Sequence, residues 1–259
     1  MVSNLAFIQD ALRSYEDRPF VVGIDASLTD TAITAIGPGT EHGRWMVRMY
    51  DAPAATKDAS ISQTCRMSII RRYVIKAFQR HPAKLVMMED YAYNQPQGAT
   101  LLGEVGGVLR LCVFHDHPEL VGLVVLVSPT QLKKYIVGHA SKGQKSVKKE
   151  KVLQRLVMDY RLEADNNNQG DATVLAIIAR DLVRIVSEIQ VEQFYDDGGA
   201  YDDQRTMEFI KHGGKDWKLE QYKWEVLISL IKNRCGESIY DYRPLERAVA
   251  DSNSTAAAG

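Results

Sequence analysis

Apolar and polar positions alternate along this chain in two different periods, and the boundaries between them carry most of the chemistry. Leu5, Ile8 and Leu12 share one face of a short amphipathic helix over about Asn4 to Tyr15, which Arg18-Pro19 ends. Val21-Val22-Gly23-Ile24 is a run suited to a central strand, and it leads straight into Asp25. Thr31 to Ile36 alternates as a second strand, Gly37-Pro38-Gly39 makes a turn, and Arg44 to Tyr50 makes a third, so these strands predict an antiparallel meander. Ile61, Cys65, Ile69, Tyr73 and Ala77 recur at helical spacing over 60–80 until His81-Pro82 stops the helix. Lys84 to Met88 then forms a strand that runs into Glu89.

Beyond an aromatic loop, Thr100 to His115 predicts a helix and Leu120 to Val127 a fifth, buried strand. Helices follow over 130–137, about 148–159 and, after the polar stretch Asp165 to Gly170, from Asp171 to about Ile189. Three strands, helix, strand, helix, strand, helices is the order of a ribonuclease H-like α/β domain: a mixed five-stranded sheet flanked by helices, occupying residues 1–190. An acidic, glycine-containing linker (Tyr195 to Asp203) precedes another helix over about 215–234, which Gly236 is placed to cap. Residues 191–250 form a helical C-terminal extension too short to bury much core alone, and 251–259 a disordered tail. Gly103, Gly106 and Gly107 each cost a helix about 1 kcal/mol relative to alanine, so another backbone should approach there, either within the subunit or across a dimer interface.

Composition narrows the classes without choosing among them. The chain has 259 residues, a formal net charge of -1, 45% hydrophobic and 25% charged residues, which describes an ordinary globular protein. No apolar run reaches the roughly 18–20 residues of a membrane span, and the first residues lack the basic and long apolar regions of a signal peptide. Cys65, Cys112 and Cys235 are odd in number and lack metal-ligand spacing, so reduced thiols in a cytoplasmic protein are expected.

Asp25, Glu89 and Asp171 each stand at the mouth of a predicted element, and a carboxylate there is costly to desolvate unless it is paired, hydrogen-bonded or holding a metal. Alone, each would pass as a turn or cap residue; together they suit a divalent-metal site for phosphodiester hydrolysis, with Asp25 placed to bridge two ions and magnesium the hard cation such oxygens favour. Lys133, Lys134, Lys142, Lys145, Lys148, Lys149, Lys151 and Arg155 crowd one tract of a nearly neutral chain, the footprint of a phosphate-backbone contact or else a solvated helix face balanced by Glu150 and Asp159. Tyr91 and Tyr93, just past Glu89, are placed either to stack on exposed bases or to anchor their own loop.

Gly23-Ile24-Asp25-Ala26-Ser27-Leu28-Thr29 resembles the first motif of the RuvC family of Holliday junction resolvases, and Val86 to Tyr93 is similar to the second. Ser128-Pro129-Thr130, Lys133 to Gly138, Lys142 and Lys149 to Val152 resemble the family's lysine-bearing segment, and Asp171-Ala172-Thr173-Val174-Leu175-Ala176 its last motif. The match spans about 20–190 in order and looks closest to phage-encoded members. The resemblance implies a homodimeric, magnesium-dependent crossover junction endodeoxyribonuclease, with manganese as a substitute, acting in the cytoplasm of a bacterium or phage-infected host. It would nick two strands of a four-way DNA junction symmetrically. Carried over by motif, Asp25, Glu89 and Asp171 bind metal, Lys149 lies near the scissile phosphate and Lys133 assists phosphate binding. Two departures stand out. Asn168 occupies the place of a further acid or histidine three residues before Asp171, with Asp165 as the substitute should the loop fold back. The wedge aromatic falls nearest Ala92, so Tyr91 or Tyr93 would have to serve. Other branched DNA (flaps, forks), a non-catalytic junction-binding role, and a nucleotide-dependent phosphotransferase of the actin-like fold remain the alternatives.

Overall fold

The computed structural model describes residues 4–39, 45–90, 99–117, 119–138, 149–188, 217–232 and 239–240. Helix α1 (Asn4–Ser14) precedes the meander β1 (Phe20–Asp25), β2 (Ala32–Pro38) and β3 (Trp45–Asp51). A single 3-10 turn (Ala54–Lys57) leads to α2 (Gln63–Arg80), then β4 (Ala83–Glu89), α3 (Ala99–Leu109) and β5 (Val121–Val127). Helices α4 (Pro129–Val137), α5 (Lys149–Arg155) and α6 (Asn167–Glu188) follow, and later α7 (Trp217–Lys232) and a two-residue strand β6 (Ile239–Tyr240). The strand order is β3-β2-β1-β4-β5-β6. β2 is antiparallel to β1 and β3, and β4 is parallel to both β1 and β5. The expected mixed five-stranded sheet is thus present, and β6 adds a short antiparallel sixth strand to β5 that nothing in the apolar pattern announced.

Strand alternation sends side chains to two separate cores. Val21, Leu85, Met87, Leu123, Val125 and Val127 face the layer built on α6. Val22, Ile24, Val86, Met88, Val124 and Leu126 face α2 and the α3 region. The wholly apolar β5 is the consequence of having both faces covered. α6 lies so close to β1 that a Cβ on Gly23 would be 2.1 Å from the Ala172 carbonyl oxygen and 2.4 Å from the Ala176 nitrogen. Only glycine admits that approach.

Several element ends differ from expectation for identifiable reasons. The helix expected over 100–115 is α-helical to Leu109 and π-helical over Arg110–His115, and the one expected over 148–159 changes in the same way at Leu156. α6 begins at Asn167 rather than Asp171: the Asn166 carboxamide accepts from the Gln169 backbone N–H at 2.9 Å, and so caps residues that composition alone reads as loop. α4 starts one residue early, at Pro129, because Ser128 and Gln131 form a reciprocal capping box. For the helix glycines, a methyl on Gly103 or Gly107 would meet no described atom within 4 Å, so among the described residues no close packing accounts for them.

α7 packs on α4, α1 and α6 and gives Trp224, Val226, Leu227, Leu230 and Ile231 to the larger core. A buried polar joint sits where α4, α6 and α7 meet. The Tyr135 hydroxyl donates to Asp181, the Arg180 guanidinium pairs with the same carboxylate at 2.8 Å, and Lys223 of α7 lies over the rings of Tyr135 and Tyr160. Burial, reinforced by Asp181, pushes the Tyr135 phenol well above its ordinary range, so it stays a donor.

Candidate metal centre

Pairing register brings the first two acids together. Ile24 is level with Met88 on the neighbouring parallel strand, so the next residue on each, Asp25 and Glu89, is a carboxylate at the same sheet edge. By alternation both project to the face that α6 covers, because Val21, Leu85 and Met87, an even number of positions back, lie there. α6 crosses β1 at Gly23, and this crossing carries Asp171 to the same place. One carboxylate oxygen from each of Asp25, Glu89 and Asp171 lies within 4.8 Å of the others, and the three residues are partly buried.

The turn after Asp25 is stitched by its own hydroxyls. The Ser27 N–H donates to the Thr31 hydroxyl at 3.1 Å, the Thr31 hydroxyl donates to the Ser27 carbonyl, and the Asp30 N–H donates to the Ser27 hydroxyl at 2.8 Å. Lys57 pairs with Asp30 at 2.8 Å, and the Thr56 hydroxyl donates to the Thr29 carbonyl at 2.9 Å, so the 3-10 turn buttresses this loop. Among Asp25, Glu89 and Asp171, two ionised carboxylates within 4.8 Å of each other repel by about 3 kcal/mol at an effective dielectric constant near 20. A divalent cation relieves that repulsion. An all-oxygen donor set of partly buried carboxylates is suited to a hard ion such as magnesium or manganese rather than to zinc or copper.

The remaining candidates separate. Asn168 is on the first turn of α6, and its side-chain nitrogen donates to the Asp30 carbonyl at 3.2 Å. The Asp165 backbone N–H donates to the Gln169 side chain at 2.9 Å, and Asp165 is not among the acids that converge. Lys133 is partly exposed on α4. Lys134 is taken up by α7, paired with Glu225 and 5.4 Å from the centre of the Tyr222 ring. Lys149 opens α5. Lys142, Lys145, Lys148, Tyr91 and Tyr93 lie outside the described residues, as does the Lys149 side chain.

Asp51, Asn166 and Gln169 escaped the sequence reading. Asp51 accepts from the Gln169 side chain at 2.8 Å and from that of Asn166 at 3.2 and 3.3 Å. A signal was present: Asp51 is a third acid at a strand end, and the meander directs β3 to the same edge as β1.

No protein-family model and no curated protein matches the sequence. Among solved structures, the chain is similar to Thermus thermophilus RuvC in complex with a Holliday junction, with a TM-score of 0.51 and 16% identity over 64% of this chain and 96% of that one. A second Thermus thermophilus RuvC structure gives a TM-score of 0.49 at 18% identity, covering 64% of this chain and 96% of that one. The yeast mitochondrial Holliday junction resolvase gives 0.41 at 11% identity, covering 71% and 99%. The fold is ribonuclease H-like. On it, three carboxylates form a cluster that could hold a metal ion.

Proposed function

We propose that this protein is a metal-dependent, structure-selective DNA endonuclease that resolves four-way junctions by symmetric paired nicks. The observation that carries the reading is the convergence of Asp25, Glu89 and Asp171, from two strands and a helix far apart in sequence, to within 4.8 Å at one sheet edge. These residues would hold magnesium ions, with Asp25 shared between two and manganese as a substitute. Bound there, the ions supply a lowered water pKa and positive charge for the phosphodiester transition state. The chain's own part is to fix three oxygens beforehand, so that no reorganisation is needed as charge develops.

DNA would enter over α4 and the start of α5, where Lys133 and Lys149 are the phosphate contacts and Lys149 the cation nearest the scissile group. Lys142, Lys145 and Lys148 extend the same tract, and Tyr91 or Tyr93 would stack on bases at the branch point. Lys134 contributes less, because Glu225 and Tyr222 already engage it. Asn168 can offer only an uncharged carbonyl oxygen to a metal, since its nitrogen is bonded to Asp30.

Paired nicks require two active sites. A homodimer is supported by α3: Gly103 and Gly107 leave a smooth face that no described atom approaches, and Leu111, one turn further on, is 67% exposed. Small residues allow a second backbone close approach, and an exposed leucine beside them gains by burial.

The test is a labelled immobile four-way junction incubated with magnesium, with the nicks mapped on all four strands and compared with flaps and forks. Symmetric nicks across the branch point, lost in Asp25→Asn while junction binding persists, are the expected result. Cleavage by Asp25→Asn at the wild-type rate would remove the metal site from the chemistry. Preferential cutting of flaps or forks would reassign the substrate.

A further inference from the structure

Three residues of the sheet stand in one row across its catalytic edge. Asp25 pairs with Ala32 on β2, and Ala32 pairs with Asp51 on β3. Side chains level with one another across a sheet project to the same face, so Asp51 shares the face of Asp25. It stands two strands away, about 9–10 Å at the usual strand spacing. It is too far to join the cluster, and its carboxylate instead takes hydrogen bonds from two side chains at the start of α6. One is the Gln169 amide at 2.8 Å, from a residue only 5% exposed; the other is the Asn166 amide at 3.2 Å. Gln169 then accepts from the Asp165 backbone N–H at 2.9 Å, and Asn166 accepts from the Gln169 N–H, which closes the cap. Two further ties run from the same turns of α6. Asn168 donates to the Asp30 carbonyl, and the Thr173 hydroxyl is 3.0 Å from that of Thr34 on β2. Asp171 lies between these ties.

We infer that Asp51 is a positioning residue for the metal centre: it pins the first turn of α6 to the end of β3 and thereby sets the distance of Asp171 from Asp25 and Glu89. This rests on the metal-binding reading above and adds a residue outside the ligand set. One acid of the row serves the ligand cluster; the other, two strands off, fixes the helix that completes it. The hydrogen bonds can be exchanged without changing net charge. In the double variant Asp51→Asn/Gln169→Glu, the new Asn oxygen still accepts from Asn166, its nitrogen donates to the new carboxylate, and that carboxylate still accepts from the Asp165 N–H.

The experiment titrates Mn2+ by the electron paramagnetic resonance signal of the free ion, with wild type, Asp25→Asn, Asp51→Asn and the double variant. Hydrogen exchange of residues 166–172 in the metal-free proteins is followed by mass spectrometry. Asp51→Asn is expected to weaken Mn2+ binding about fivefold and to speed exchange of the first turns of α6, with the double variant returning both to within about twofold of wild type. An Asp51→Asn protein that binds Mn2+ as wild type does overturns the inference. So does a loss that the double variant fails to rescue, because restoring these hydrogen bonds then does not restore the site. Should wild type bind Mn2+ no better than Asp25→Asn, the metal reading fails. Exchange in the metal-free proteins still decides the anchor, and unchanged exchange in Asp51→Asn refutes it. Asp51 is exposed at a strand end, and if Asp51→Asn nonetheless lost its fold, the double variant alone would decide by matching or missing the wild-type values.

Discussion

Gly23→Ala is the sharpest perturbation available, because it adds one methyl at the crossing that brings Asp171 to Asp25. The new Cβ would stand 2.1 Å from the Ala172 oxygen, 2.4 Å from the Ala176 nitrogen and 2.8 Å from the Leu175 Cβ, where real Cβ contacts are not found under 3.0 Å. Two of the three obstacles are helix backbone, so no rotamer change relieves them. α6 must retreat by about 0.9 Å at its closest contact, or β1 must bend. Inserting a methyl into a packed core ordinarily costs about 1–3 kcal/mol, and a backbone clash belongs at the upper end. At about 2–4 °C per kcal/mol for a chain of this size, the melting temperature should fall by about 6–12 °C. A 1 Å misplacement at a reactive centre is worth about a hundredfold in rate, so the proposed junction cleavage should fall by that order even where the protein remains folded. Thermal unfolding by circular dichroism and single-turnover cleavage at a temperature well below the transition measure the two effects. A Gly23→Ala protein with wild-type melting temperature and cleavage would show that α6 does not bear on β1 as described, and the assembly of the site would need another account.

Four further outcomes follow from the same contacts. Tyr135→Phe removes a donor from the buried Asp181 carboxylate and should lower stability by about 1–3 kcal/mol in urea titration, with little change in Mn2+ affinity. Ser128→Ala removes the α4 cap and should cost about 1 kcal/mol by the same assay. Burial, with Arg48 and Arg80 nearby, holds the His81 imidazole below its ordinary pKa beside the Tyr50 hydroxyl at 2.6 Å. The unfolded chain therefore takes up a proton first: His81 contributes no pH dependence well above pH 6.5, and stability falls as pH drops through that value until the folded imidazole also protonates. His81→Gln should flatten that segment of the melting-temperature profile, and an unchanged profile would exclude His81 as its source. On the proposed homodimer, Leu111→Glu should sediment as a monomer and lose paired nicking, whereas a variant that sediments as wild type would exclude Leu111 from a dimer contact.

What the amino-acid order determined by itself was local and periodic. Alternation and apolar runs placed β1 to β5 within a residue or two, since a strand buried on both faces has few other ways to read. Three acids at element mouths marked the chemistry, because an isolated carboxylate beside an apolar run needs a reason to be there. Loop-like composition concealed the start of α6: Asn166 and Gln169 become a helix cap only through their own side-chain bonds and the carboxylate of Asp51, more than a hundred residues away in sequence. Gly23 likewise looks like an ordinary strand glycine until α6 is laid across it. Lys134 counted as one cation among eight, and only the packing of α7 showed it already paired. β6 was invisible because two residues have no period. Propensity and patterning act over a few residues and can be read in one dimension. Which helix crosses which strand, and at what distance, is decided by contacts between segments that the chain order keeps apart.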